Sequence, residues 1–279
     1  MKLTKLAVIG FITFGAIASV TQTVSAATIG TAEPKATVKF EEENDDNNNG
    51  VIILPDTQPQ VEVKPEIPVT SATGPLMITQ APTFDFGTVA IKAVDAKYSA
   101  KAAEYKQKTG ENPDGTPIFA ADSIYSAPLL EVKDARGNAD GAWTVTVKAS
   151  EFVSDDAVTA NQKKLAGAAI TLKNAKVFNN MLSENGTSAV EIDPNGINAK
   201  TSITINGTEQ TILGAKGGSG QALTSYVADS NYTGTTATNY TGTDKINDIE
   251  LHVPVTAEKD KTKNYVATVT WTLSDDPAA

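Results

Sequence analysis

Residues 265–273 read YVATVTWTL, and this segment decides the fold class. Every second side chain is apolar, from Tyr265 to Leu273, and threonine fills most of the positions between. Because successive side chains of a β-strand point to opposite faces, the pattern predicts a strand with one buried and one exposed face. Residues 143–148 and 249–253 alternate in the same way and predict two further strands.

Weaker signals complete an all-β interpretation. Further strands are predicted at residues 170–172, 201–205 and 210–213. Asn206 and Gly207 lie between the last two, and this dipeptide favours a hairpin turn. Residues 95–108, rich in Ala, Lys and Glu, are predicted to be the single helical segment. We therefore expect residues 76–279 to form one antiparallel β-sandwich-like domain with long loops.

The N-terminus has the pattern of a secretory signal peptide. Lys2 and Lys5 precede an apolar stretch at residues 6–20, and residues 24–26 supply the small side chains that a signal peptidase recognises. Cleavage after Ala26 is predicted. The alternative of an uncleaved membrane anchor is disfavoured, because a helix that spans a bilayer needs about 20 apolar residues. We expect the mature chain to be secreted and to have no membrane span.

Residues 27–75 are predicted to form a flexible acidic tether. Residues 41–49 are all acidic or asparagine, and six prolines punctuate the longer segment. Such a composition buries too little apolar surface to offset its ordering entropy. The short apolar run at residues 51–54 interrupts this composition and can pair with a sheet edge.

Composition excludes several kinds of site. The chain has 23 Lys and Arg against 33 Asp and Glu and a pI of about 4.7, which argues against nucleic acid as a partner. It contains no cysteine and one histidine, so disulfides, thiolate metal sites and multi-histidine metal sites are excluded. We predict no metal and no cofactor. A large exported domain without cysteine fits the surface of a Gram-positive bacterium better than a eukaryotic extracellular space.

Three motif matches are rejected. Residues 54–58, LPDTQ, resemble a sortase signal but end in Gln and lack the hydrophobic segment and basic tail that such a signal requires. Residues 45–50 match the start of a calcium loop, but Asp56 stands at its twelfth position, where a bidentate Glu is expected. Residues 214–220 are glycine-rich without the spacing of a phosphate loop, and we interpret them as a flexible connection.

A short repeat occurs at residues 231–235 and 239–243, which both read NYTGT. Its polar composition predicts a loop or a hairpin. The functional alternative is a mobile loop that displays Tyr232 and Tyr240 to a ligand.

The two tryptophans of the chain share one pattern. Trp143 is followed two residues later by Val145, and Trp271 is followed two residues later by Leu273. On a strand this spacing places both side chains on one face, where they form a continuous apolar surface. Core packing and contact with a ligand both fit such a surface. The two coexist if the motifs pack together and shape a neighbouring groove.

The chain resembles the WxL-domain surface proteins of Gram-positive bacteria, a family named for two Trp-x-Leu motifs. Residues 271–277, WTLSDDP, match the distal motif, and residues 143–145, WTV, match the proximal motif with Val in place of Leu. Residues 84–87 and 130–137 are also similar to the family pattern, so the resemblance covers about residue 76 to the C-terminus.

The resemblance implies non-covalent cell-wall attachment through peptidoglycan, without catalysis, and assembly with co-encoded surface proteins. The predicted wall- or partner-binding residues are Trp143, Val145, Trp271, Leu273, Tyr232 and Tyr240. An acidic chain is repelled by anionic wall polymers, so binding is expected to depend on local stacking and hydrogen bonds or on a protein partner. Two other functions stay open: an adhesin that binds host matrix through the tether and the tyrosine loop, and a wall-degrading hydrolase, although no carboxylate pair stands out.

Overall fold

A computed structural model describes residues 39, 50–65, 74–137, 141–180 and 190–275. All strands of the described residues lie within the unit Glu41–Ala279. The predicted signal peptide and the calcium-like residues 45–49 lie outside the described residues.

Eighteen strands make up most of the regular structure of this part of the chain. In chain order they are β1 (Ile52–Leu54), β2 (Val61–Pro65), β3 (Leu76–Gln80), β4 (Ala96–Lys101), β5 (Ala103–Glu111), β6 (Pro117–Ser126), β7 (Leu129–Asp134), β8 (Trp143–Ala149), β9 (Val153–Ser154), β10 (Ala169–Leu172), β11 (Lys176–Asn179), β12 (Ile197–Ala199), β13 (Ile203–Ile205), β14 (Gln210–Ala215), β15 (Ala222–Val227), β16 (Lys245–Val253), β17 (Tyr265–Val266) and β18 (Val269–Ser274). One 3-10 turn spans Thr159–Asn161. The prediction of an all-β antiparallel fold is confirmed.

Four sheets of four strands each organise the fold. Their strand orders are β1-β2-β5-β6, β13-β10-β16-β4, β11-β15-β7-β3 and β12-β14-β8-β18, and β17 and β9 form a separate pair. Each of the four sheets turns apolar side chains into one shared core, represented by Leu54, Ile170, Leu130 and Val145. We call the fourth sheet the motif sheet, because β8 and β18 carry the two tryptophan motifs.

The prediction of a helix at residues 95–108 is wrong, because most of these residues belong to β4 and β5. β4 pairs with β16, and β5 pairs with both β2 and β6. The ring of Tyr105 in β5 is buried in the core. Helix propensity of Ala, Lys and Glu is a weak preference, and strand pairing with aromatic burial overrides it here.

The hairpin predicted at Asn206 and Gly207 is also wrong. The two residues do connect β13 to β14, but β13 pairs with β10 while β14 pairs with β12 and β8. The carbonyl of Asn206 accepts a hydrogen bond of 2.7 Å from the N–H of Ala149. The turn therefore carries the chain from one sheet to the motif sheet.

Part of the predicted tether belongs to the fold. β1 and β2 lie within residues 27–75, and β2 joins them to β5. Ile52, Leu54 and Val63 are buried in the core, so apolar burial holds this part of the chain in place. The interpretation of residues 27–75 as an extended tether is therefore wrong for residues 52–65.

The sortase-like residues 54–58 form the turn after β1. The Thr57 hydroxyl donates a hydrogen bond of 2.9 Å to the carbonyl of Leu54. The first NYTGT repeat packs on this turn, where the Gly234 N–H donates to Oδ2 of Asp56 over 3.0 Å. A Cβ at Gly234 would lie 1.4 Å from the carbonyl oxygen of Asp56, so this close approach requires glycine.

Candidate functional site

The two tryptophan motifs lie side by side in the motif sheet. β8 and β18 are antiparallel neighbours, with Val145 directly opposite Leu273 and Trp271 directly opposite Val147. Opposite residues of paired strands share a face, and alternation places Trp143 on that face as well. The structure thus brings together the four motif residues on the side of the sheet that faces the core.

Trp143 and Val145 are core residues. Both side chains are 0% exposed. A Cβ at Gly220 would lie 2.4 Å from the indole Nε1 of Trp143, so a residue without a side chain is needed against that edge of the ring. The Nε1–H has no hydrogen-bond partner among the described residues. The structure therefore places these two side chains in the core.

Trp271 and Leu273 are half-buried at the edge of the same sheet. Among the described strands, β18 pairs only with β8, so its other side is open. The side chains of Val269, Trp271 and Leu273 are partly exposed, while Thr270 and Thr272 between them are exposed. The distal motif thus packs on the core and still presents apolar surface along an open sheet edge.

Tyr232 and Tyr240 lie away from the tryptophan motifs. Tyr232 is 0% exposed; its ring meets Phe178 edge-on at 5.6 Å, and its hydroxyl donates to the carbonyl of Pro55 over 2.8 Å. Tyr240 is half-buried and donates its hydroxyl hydrogen to Oδ2 of Asp229 over 2.5 Å. Burial raises the pKa of both phenols. The repeat does form a polar loop, but it encloses Tyr232 and does not display it.

The opposite side of the motif sheet is polar, and we call it the outer face. Its residues alternate with the core-facing ones along β8, β12, β14 and β18. They are Thr144, Thr146, Lys148, Asn198, Thr211, Gly214, Thr270, Thr272 and Ser274. Hydroxyl and amide side chains can donate and accept hydrogen bonds in several directions, as a polar ligand requires.

A groove of about 260 Å³ crosses the outer face. Its polar lining consists of Thr144, Asn198, Lys200, Thr211 and Lys216, and Gly214 forms part of the floor. A Cβ at Gly214 would lie 3.1 Å from the carbonyl oxygen of Trp143. The backbone of the proximal motif therefore lies directly beneath the groove while its indole packs behind it.

Sequence reasoning missed the residues of this groove. A usable signal was present, because Asn198 and Lys200 alternate with buried Ile197 and half-buried Ala199, and Gly214 and Lys216 flank buried Ala215. Residues 214–220 were interpreted as a flexible connection. Instead, Gly214 and Ala215 belong to β14, and the glycine that follows at position 220 packs on Trp143.

A second cavity, of about 270 Å³, lies at the β5 side of the fold between Pro65, Tyr105 and Tyr125. Its charged groups are already engaged. Lys101 forms an ion pair of 2.8 Å with Asp85, and this contact holds the pKa of that carboxyl below its usual range. The hydroxyl of Ser123 donates to Glu104. The second cavity therefore offers fewer free charges than the groove on the outer face.

The described residues hold neither a metal-binding cluster nor a membrane-spanning helix. They contain no group of three or more His, Cys, Asp or Glu side chains placed to hold a metal ion. Within the same ranges, no helix has the length and apolar character needed to span a membrane.

Comparison with known proteins identifies the family. The family model described as "WxL domain surface cell wall-binding" matches residues 27–277, nearly the whole chain. Neither the curated proteins nor the solved structures contain a match. The match includes both tryptophan motifs and the two strands in residues 52–65 that the sequence interpretation had assigned to a tether. The chain belongs to the WxL family of surface cell wall-binding domains.

Proposed function

We propose that the chain, secreted by a Gram-positive bacterium and cleaved after residue 26, binds peptidoglycan non-covalently through the groove of the outer face, without catalysis. Cell-wall binding at the surface is the function of its family. The observation that supports the groove is the pairing of β8 with β18, which turns both tryptophan motifs toward the core and their threonines outward.

The chemistry of the groove suits a glycan with peptide branches. Thr211 and Asn198 supply donors and acceptors, as sugar hydroxyls and acetamido groups require. A volume of about 260 Å³ lies just below the range of roughly 300–1,000 Å³ for small-ligand clefts, so one sugar unit or a short peptide branch fits.

Filling the groove is expected to release the protein from walls. In Thr211→Phe the new ring would occupy the groove from an exposed position, and we expect about tenfold weaker binding to isolated walls. The free energy of unfolding should change by about 0.5 kcal/mol or less, as for other surface substitutions. Binding is measured by cosedimentation with isolated walls, and folding is measured by urea denaturation.

The matched control is Thr270→Phe, which makes the same change on the same outer face but on β18, away from the groove lining. We expect it to bind walls as the wild-type chain does. Equal binding by both variants and the wild type would reject the groove as the wall-binding site.

The open edge of β18 supports a role in assembly with a co-encoded surface protein. An unpaired edge strand presents backbone N–H and C=O groups that a strand of another protein can pair with. Trp271 and Leu273 are partly exposed along this edge and would supply apolar contact to such a strand. In this assignment the distal motif binds a protein partner, and the groove binds the wall.

The rival functions receive less support. The adhesin hypothesis relied on display of Tyr232, which is buried. A wall hydrolase needs a carboxyl group with a raised pKa at a surface cleft. Among the described carboxyls with a resolved pKa shift, only that of Glu131 is raised, and Glu131 is enclosed in the core.

A further inference from the structure

Two lysines stand at opposite ends of the groove. Lys200 directly follows β12 and Lys216 directly follows β14. Their backbones are fixed, because the Lys200 N–H donates to the Ile212 carbonyl over 2.9 Å and the Lys216 N–H donates to the Gly196 carbonyl over 3.0 Å. Four residues along β14 separate the two positions, which corresponds to about 13 Å at the strand rise of about 3.3 Å per residue.

The ammonium groups of these lysines have no partner in the described part of the chain. Most of the described lysines form an ion pair, a hydrogen bond or a contact with a ring, for example Lys101 with Asp85 and Lys64 over Phe119. The described lysines whose side chains make none of these contacts are Lys92, Lys200, Lys216 and Lys261. Two of the four line the same groove.

Among the described residues, no acidic side chain lines the groove. Asp193 accepts a hydrogen bond of 2.9 Å from the Asn195 N–H. Glu209 accepts the Thr146 hydroxyl over 2.5 Å and lies 3.9 Å from Lys148. The side chains that line the groove therefore carry two positive charges and no negative charge, in a chain with a net charge of −10.

We propose that the groove recognises anionic oxygen groups of a wall polymer, with Lys200 and Lys216 each holding one group. This proposal rests on the proposed function and specifies its ligand. The groups would be carboxylates of peptidoglycan peptides or phosphodiesters of a wall glycopolymer, since a lysine ammonium with three donors binds either. Separation of the lysines along the strands favours a polymer with repeated charges over a small single anion.

The local charge also accounts for how an acidic chain is retained by an anionic wall. Repulsion between net charges is screened beyond about 8 Å at physiological salt. Direct contacts between an ammonium and an anionic oxygen are shorter and are strengthened by hydrogen bonding. The overall acidity of the chain then opposes nonspecific adsorption, while the groove selects anionic groups that also fit its hydroxyl and amide contacts.

The test compares two double variants of the mature chain, residues 27–279. Lys200→Gln/Lys216→Gln removes the groove charges, and Lys92→Gln/Lys261→Gln removes the same charge from the two unpartnered lysines outside the groove. Apparent Kd is measured by cosedimentation with isolated walls at low and high salt. The walls are used intact and after hydrofluoric acid has removed phosphodiester polymers. Urea denaturation confirms that each variant is folded.

We expect the groove variant to bind intact walls about tenfold more weakly and to lose most of the salt dependence of the wild type. The control variant should bind as the wild type does. A difference that persists on acid-treated walls identifies carboxylates, and one that disappears identifies phosphodiesters. The proposal is overturned if the two double variants bind walls equally weakly, or if the groove variant binds walls as tightly as the wild type. If the Thr211→Phe variant binds walls more weakly even then, the groove remains the proposed wall-binding site and only its recognition of anionic groups is rejected.

Discussion

Replacing Trp143 with alanine is expected to lower the free energy of unfolding by about 3–5 kcal/mol, the range for truncation of a large buried aromatic side chain. The indole is fully buried, and Gly220 against its edge has no side chain that could fill the vacated volume. Domains have a total stability of about 5–15 kcal/mol, so the variant should lose a large part of it. Urea denaturation of the mature chain measures the change.

Two further variants separate a structural role of the indole from a binding role. Trp271→Ala should destabilise less than Trp143→Ala, since Trp271 is half-exposed at the sheet edge. Trp143→Phe keeps an aromatic ring in the core and should retain wall binding in its folded fraction. A Trp143→Ala variant that stays as stable as the wild type and no longer binds walls would show that this indole contacts the ligand, contrary to its placement.

The second large effect concerns pH and the buried carboxyl of Glu131. This side chain is 1% exposed on β7. Its carboxyl accepts hydrogen bonds from the hydroxyls of Thr79 over 2.7 Å and Ser225 over 3.4 Å, with no cation paired to it in the described structure. Burial raises its pKa from 4.5 to about 7, and the hydrogen bonds only partly oppose this rise. Burial also raises the pKa of the nearby Tyr105 phenol, which stays neutral in this pH range.

Stability is therefore expected to fall as the pH rises from about 4.5 to about 7. In this window the folded state keeps a proton on Glu131 that the unfolded state releases. The shift in the pKa of Glu131 corresponds to a loss of about 3 kcal/mol in the free energy of unfolding between the two ends of this pH window. Carboxyls with lowered pKa, such as Asp85, Asp248 and Glu250, change stability below this window because their ordinary values are 3.8 to 4.5.

Glu131→Gln isolates this contribution. Glutamine has the same shape and carries no charge at any pH, so the decline in stability between pH 5 and pH 8 should shrink by about 3 kcal/mol relative to the wild type. Other titrating groups are common to both proteins and cancel in the difference. Urea denaturation at several pH values provides the comparison. Parallel pH profiles for the two proteins would mean that Glu131 is ionised in the fold at little cost.

The strands that could be predicted most clearly were those with strict alternation, and weaker signals also predicted β10, β13 and β14. The sequence predicted β8, β16 and β18 because one face of each strand is polar and the other is apolar. β4 and β5 were missed because Ala, Lys and Glu also suit a helix, and the burial of Tyr105 that decides the matter is a tertiary contact. β1 was indicated only as an apolar run that can pair with a sheet edge, and β2 was missed because its short apolar run lies among prolines and acidic residues.

The candidate site could be predicted only in part. The spacing in Trp143–Val145 and Trp271–Leu273 identified one apolar face, and the structure pairs the two motifs on it. The burial of each tryptophan depends on the position of its strand within the sheet. β8 lies inside the sheet, and β18 lies at its edge. The groove depends on the registers of β12, β14 and β8, including an irregularity between Thr211 and Leu213. No local pattern in the sequence specifies such registers.

Lysine acylation of the wall-bound protein tests the central claim most directly. The claim is that the outer face of the motif sheet meets the wall while the tryptophans pack behind it. The mature chain is treated with an acylating reagent free in solution and bound to purified walls, and modification rates are read by mass spectrometry. We expect wall binding to slow the acylation of Lys200 and Lys216 and to leave Lys92 and Lys261 unchanged. Unchanged rates at Lys200 and Lys216 in the bound protein would contradict the claim.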